Sequence, residues 1–176
     1  AYMMLMNVGG DGRDVWPWAD RNLDDIAKSA GENIDLTTQA RAFDVSKLDQ
    51  WEIVFAHMQE KGITLHLFFQ EQENDQLLND GELGLERMLY MREMLARFGH
   101  HNGVIFNLGE ENTNSTSELT DHSAYLKSLD PYGHPVALHT YPNQLKKYEA
   151  FEGTETLDVL SFQTNRDTIV PDLDRY

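Results

Sequence analysis

Two patterns alternate along this chain, and their alternation limits the folds open to it. Short apolar runs are separated by longer stretches whose apolar residues recur every three and four positions. Tyr2 to Val8, Ile63 to Gln70, "GVIFNLG", "PVALHTYP" and Asp158 to Asn165 are runs of the first kind. "FDVSKLDQWEIVFAHMQEKG", "LGLERMLYMREMLARFG" and "SELTDHSAYLKSLDPYG" are of the second. Apolar runs that do not alternate make strands buried on both faces, and amphipathic helices supply the cover. The order β, then βα three times, then β predicts an α/β fold with a parallel sheet and right-handed crossovers. An open doubly wound sheet and a (β/α)8 TIM barrel both satisfy it. A full barrel takes about 250 residues, so five strands in 176 residues would form a partial one.

The helices carry start and stop signals. Asp44 or Ser46 can cap the first, with Leu48, Trp51, Phe55 and Met58 on its buried face and Gly62 at its end. The second presents Leu85, Met88, Leu89, Arg92, Leu95 and Phe98, and Pro131 and Gly133 stop the third. Asp11 to Phe43 has no clear pattern and reads as an elaborated βα loop. No repeat, linker or low-complexity tract divides residues 1–176, which read as one domain.

Charge excludes some partners. Thirty acids against 14 bases give a net charge of −16, which repels phosphate backbones and anionic lipid, so neither nucleic acid nor membrane is expected as a partner. The chain has no cysteine, which rules out disulfides and thiolate-held metals. "DQLLNDGELGLE" has the acids of a calcium loop, but Gly81 falls one place late and Leu77 holds a ligand position. It reads as a solvated loop, and neither metal nor cofactor is assigned.

Every expected strand ends in polar residues. Asn7 and Asp11 follow the first, with Arg13, Trp16 and Trp18 beyond. Gln70 and Glu71 follow the second. Asn107, Glu110, Glu111 and Asn112 follow the third, His139 and Tyr141 the fourth, and Gln163 the fifth. In parallel α/β folds the C-terminal strand ends share one side, and that side holds the site. Each residue has a plainer role available: a carboxylate caps a helix, a Trp packs, a His sits in a structural hydrogen bond. Those roles must then hold at five strands together. Carboxylates, amides and aromatics on one side suit a carbohydrate substrate, because sugar hydroxyls take polar partners and apolar sugar faces stack on rings. Glycoside hydrolysis needs two carboxyl groups, one protonated. Glu110 and Glu111 are adjacent, and side chains alternate along a strand, so one should face the centre of the barrel mouth and the other turn away or reach sideways.

The segment "VIFNLGEEN" resembles strand four of the clan A glycoside hydrolases, where an Asn-Glu pair ends the strand and the Glu is the acid/base. The resemblance puts Glu111 on the acid/base and Glu110 on the Asn, with Glu110 as the other candidate for the acid. A neighbouring carboxylate and partial burial would favour the protonated form the acid needs. Arg13, Asn107 or Asn112 would then hold Glu110. "NVGGDGRDVWPW", "FDVSKLDQWEIVFAHMQEKGI", "QEQENDQLL", "ARFGHHNGVIFNLGEENTN" and "HTYP" are similar to a group of secreted, largely uncharacterised bacterial glycoside hydrolases. This resemblance runs from about Asn7 to Tyr141. It implies a secreted or periplasmic protein, strands two to six of a barrel, and a nucleophile strand beyond Tyr176. It also implies a longer parent chain, or self-association of the exposed sheet edges. Two other readings stay open: a non-catalytic carbohydrate-binding protein on a barrel scaffold, and an open-sheet binding protein in which "GEEN" caps a helix.

Overall fold

The computed structural model describes residues 1–7, 15–19 and 39–164. Its five strands are β1 (Tyr2–Met4), β2 (Leu65–Phe68), β3 (Val104–Asn107), β4 (Val136–Thr140) and β5 (Val159–Phe162). They form one sheet in the order β1-β2-β3-β4-β5, with every neighbouring pair parallel. Sequential order decides between the two architectures. A doubly wound sheet reverses direction at a switch point. Here each right-handed crossover moves one strand further the same way, which keeps the helices on one face. The sheet is an arc of a (β/α)8 barrel.

The crossovers contain α1 (Val45–Glu60), α2 (Leu85–Phe98) and α3 (Thr116–Leu129), and a single turn, α4 (Lys146–Glu149), precedes β5. Asp44 caps α1 by accepting from the Lys47 amide. Ser115 and Glu118 form a reciprocal capping box at α3. Leu65, Leu67, Val104, Phe106, Val136 and Leu138 are buried in the core with Leu5, Leu48, Phe55 and Phe98. The other sheet face carries Tyr2, His66, Phe68 and His139, whose rings contact one another in sequence.

Three expectations need correction. In α2 the buried face is Arg87, Tyr90, Met91, Met94, Leu95 and Phe98, while Leu85 and Arg92 face solvent. The helix is turned by the burial of Arg87, which periodicity counted as polar. The segment after β2 is no solvated loop, since Asn74, Asp75, Leu78 and Gly81 are buried. Trp16 and Trp18 are fully buried and pack edge to face at 4.6 Å. The Trp18 indole donates to the Ala40 carbonyl. These rings belong to the core and have no face free for a sugar.

Candidate active site at the strand ends

The β2–β3 ladder continues past its strands. The Phe69 amide donates to the Asn107 carbonyl, the Glu110 amide donates to the Gln70 carbonyl, and Glu71 pairs with Glu110 in a parallel bridge. This sets two carboxylate-bearing residues side by side on adjacent chains. The strand itself stops at Asn107, whose side-chain oxygen accepts from the Gly109 amide at 3.1 Å, an Asx-type turn. A Cβ on Gly109 would lie 2.5 Å from Asn112 Nδ2 and 2.9 Å from Gln70 Cγ, so the close approach requires glycine. Glu111 follows with φ 44°, in the left-handed region that costs a β-carbon residue energy.

Strand alternation therefore does not govern Glu110 and Glu111. The Tyr2 phenol lies near Glu110, and the Tyr141 phenol lies near Glu111. Burial raises the Tyr2 phenol, and the interaction with Glu110 and the charges of Glu110, Glu71 and Glu111 push further the same way. Burial also raises the Tyr141 phenol, helped by the charges of Glu111, Glu73 and Asp75 and by its interaction with Glu111. Burial lowers His139, while Glu110 and Glu111 together oppose that shift. The charges of both glutamates thus act on the same imidazole and the same Tyr2.

The amides beneath them serve the scaffold. Gln70 is fully buried; its amide donates to Asn114 at 2.8 Å and its oxygen accepts from Arg87. The Asn112 side chain donates to the Leu108 carbonyl and accepts from the Asn114 amide. The Asn107 side chain donates to His66 Nε2 at 3.0 Å. The side chains of Asn107 and Asn112 are thus engaged by His66, Gly109, Leu108 and Asn114 and do not hold Glu110. Arg87 holds the wall together by donating to the carbonyls of Asp75, Leu78 and Glu82. Burial lowers its pKa to about 10, and the nearby charge of Asp75 opposes the shift. Asp75 in turn accepts from the Thr113 amide and hydroxyl.

Asn7 is buried and bridges to Val15, and Glu71 is buried against the amide of Asn74. Gln163 is exposed just past β5. Asp11 and Arg13 lie outside the described residues. Nothing in the sequence marks Tyr2, because it opens an apolar run that reads as a buried strand. Its ring lies 3.9 Å from Phe68 on the face opposite the helices, and it is half exposed.

No protein-family profile matches the chain, and no curated protein matches it. Among solved structures, the fold is similar to that of a protein from Bacteroides vulgatus ATCC 8482, named as a "putative glycoside hydrolase". The TM-score is 0.61 at 14% identity, and the match covers 73% of this chain and 25% of that one. This chain thus spans about a quarter of that protein's length. The likeness is one of fold alone: a parallel α/β sheet with helices between its strands.

Proposed function

We propose that the chain carries the acid/base part of a glycoside hydrolase site acting on a poly- or oligosaccharide. The observation that carries the reading is that Glu110 and Glu111, just past the C-terminal end of β3, act together on Tyr2 and His139, with Tyr141 beside Glu111. Barrel enzymes do their chemistry on that side. Glu111 is the proton donor in this reading. It gives its proton to the glycosidic oxygen as the bond from that oxygen to the anomeric carbon breaks. Water adds to the anomeric carbon, and its proton returns to the carboxylates. Glu110 stays ionised beside it and steadies positive charge on the sugar ring. The Tyr141 hydroxyl orients Glu111, and the Tyr2 hydroxyl orients Glu110. An extracellular or periplasmic setting with a carbohydrate partner belongs to the same proposal.

The test is leaving-group dependence in the full-length protein. Glu111→Gln costs at least about a hundredfold on a natural glycoside, the lower range for loss of general acid catalysis. An aryl glycoside with an acidic leaving group recovers much of that rate, because it needs little protonation. Rescue of Glu110→Gln and not of Glu111→Gln would reverse the two roles. Saccharide binding that neither change disturbs, without turnover in the parent protein, would overturn the enzyme reading in favour of a binding protein.

A further inference from the structure

We propose that Glu52, His100 and His101 bind a divalent transition-metal ion of the zinc type. These residues join α1 to the turn between α2 and β3. They precede β3, whereas Glu110 and Glu111 follow it, so the site is separate from the proposed glycosidase chemistry and does not depend on it.

Glu52 Oε1 lies 3.1 Å from His100 Nε2, and Glu52 Oε2 lies 3.1 Å from His101 Nε2. One ligand atom from each residue can be chosen so that all three fall within 4.8 Å of one another. Around a tetrahedral zinc with bonds near 2.1 Å, ligand atoms stand about 3.4 Å apart. Small side-chain adjustments would therefore seat an ion between them.

The hydrogen-bond geometry supports this. His100 Nδ1 lies 2.8 Å from the Arg97 carbonyl. A carbonyl can only accept, so Nδ1 carries the proton. In the neutral ring, Nε2 then aims a lone pair at a carboxylate oxygen. Two acceptors at that distance attract only through a cation between them, either a proton or a metal. An imidazole donating its far nitrogen to a backbone carbonyl is how metal-bound histidines are oriented. His101 is 2% exposed, and its Nδ1 has no hydrogen-bond partner among the described residues. Its Nε2 is the atom turned to Glu52. The two imidazoles lie with centroids 4.1 Å apart.

The neighbours leave the site unclaimed. The Arg97 guanidinium goes to Glu93 at 2.6 Å and to Asp49 at 3.2 Å. The Asn102 amide donates to Gln59 Oε1 at 2.7 Å and already ties the same turn to α1. Two imidazoles and a carboxylate favour zinc, copper or nickel over calcium and magnesium. The half-exposed His100 side leaves room for water as a further ligand. An ion held there would clamp α1 to the start of β3 and stabilise the folded state, because an unfolded chain does not keep the three ligands together.

The test is titration of chelator-treated protein with zinc chloride, read by calorimetry and thermal unfolding, with cobalt(II) as a visible probe. One equivalent should bind, raise the unfolding midpoint, and give cobalt d–d bands typical of a four- or five-coordinate ion. Glu52→Gln and His100→Ala, at positions that tolerate change, should each weaken binding at least about tenfold. Glu110→Gln and Glu111→Gln should leave it unaltered. The proposal falls if zinc does not bind. It falls equally if Glu52→Gln and His100→Ala bind zinc like the parent, or if the strand-end glutamate variants are the ones that lose it.

Discussion

The amide of Glu110 donates to the carbonyl of Gln70 at 2.9 Å, with Gln70 two residues beyond Phe68 and Glu110 three beyond Asn107, the last strand pair of β2 and β3. The ladder therefore fixes where Glu110 stands, while the Asn107 turn and the left-handed Glu111 decide where its neighbour goes. A rigid sheet carries the first carboxylate, and a strained loop residue carries the second. The strain makes sense if the position serves chemistry more than stability.

Strain at Glu111 is measurable. Asn accepts a positive φ more readily than Ala, and both substitutions remove the carboxylate beside Tyr141. Glu111→Asn should therefore be more stable than Glu111→Ala by about 1 kcal/mol in urea unfolding, with both inactive on natural glycosides. Equal stabilities would mean that the backbone at Glu111 is relaxed.

The phenol of Tyr141 should ionise above the usual tyrosine range. Its folded pKa is raised first by burial and then by Glu111, Glu73 and Asp75. The associated stability is present below pH about 10 and is lost as pH rises further, because the unfolded chain releases the proton first. Difference absorbance of phenolate between the parent and Tyr141→Phe reads this group. In Glu111→Gln its titration should move back toward the ordinary value, and an unmoved titration would break the proposed pairing.

Arg87 supports the site from behind. Replacing it by Met would leave the Asp75, Leu78 and Glu82 carbonyls and the Gln70 oxygen without their donor. The expected loss is about 3 kcal/mol or more in denaturant unfolding. Lower activity should accompany it, since Gln70 holds the Glu110 amide. A loss below about 1 kcal/mol would mean that water replaces those bonds readily.

His122 should make the fold sensitive to acid. It is buried on α3, and burial, with help from the charge of Arg87, lowers its pKa to about 3. The unfolded imidazole takes a proton near pH 6.5. Its stabilising effect is therefore full above pH about 6.5 and is lost as pH falls toward the folded value. Between pH 7 and 4.5 this amounts to about 2–3 kcal/mol. The pH slope of urea stability in His122→Leu should be shallower by that amount, and parallel curves would contradict it.

The sequence alone determined the strand and helix order, the parallel sheet and the core residues of its strands. Those features follow from periodicity and chain direction, which are local. It also marked Glu110 and Glu111, because adjacent acids at the end of an apolar run conflict with burial. Sequential strand order, and with it the barrel arc, needed the pairing of distant strands. So did the inward turn of Arg87 on α2, whose charge is satisfied by carbonyls from a loop that no helical period can reveal. Trp16 and Trp18 read equally well as sugar platforms or core rings, and only the packing of Trp18 against Ala40 and Tyr90, and of Trp16 against Trp18, made them core. Tyr2 joined Glu110, and Glu52 joined the two histidines, across separations of 108 and about 49 residues. Contacts of that range are created by closure of the fold, and no local pattern encodes them.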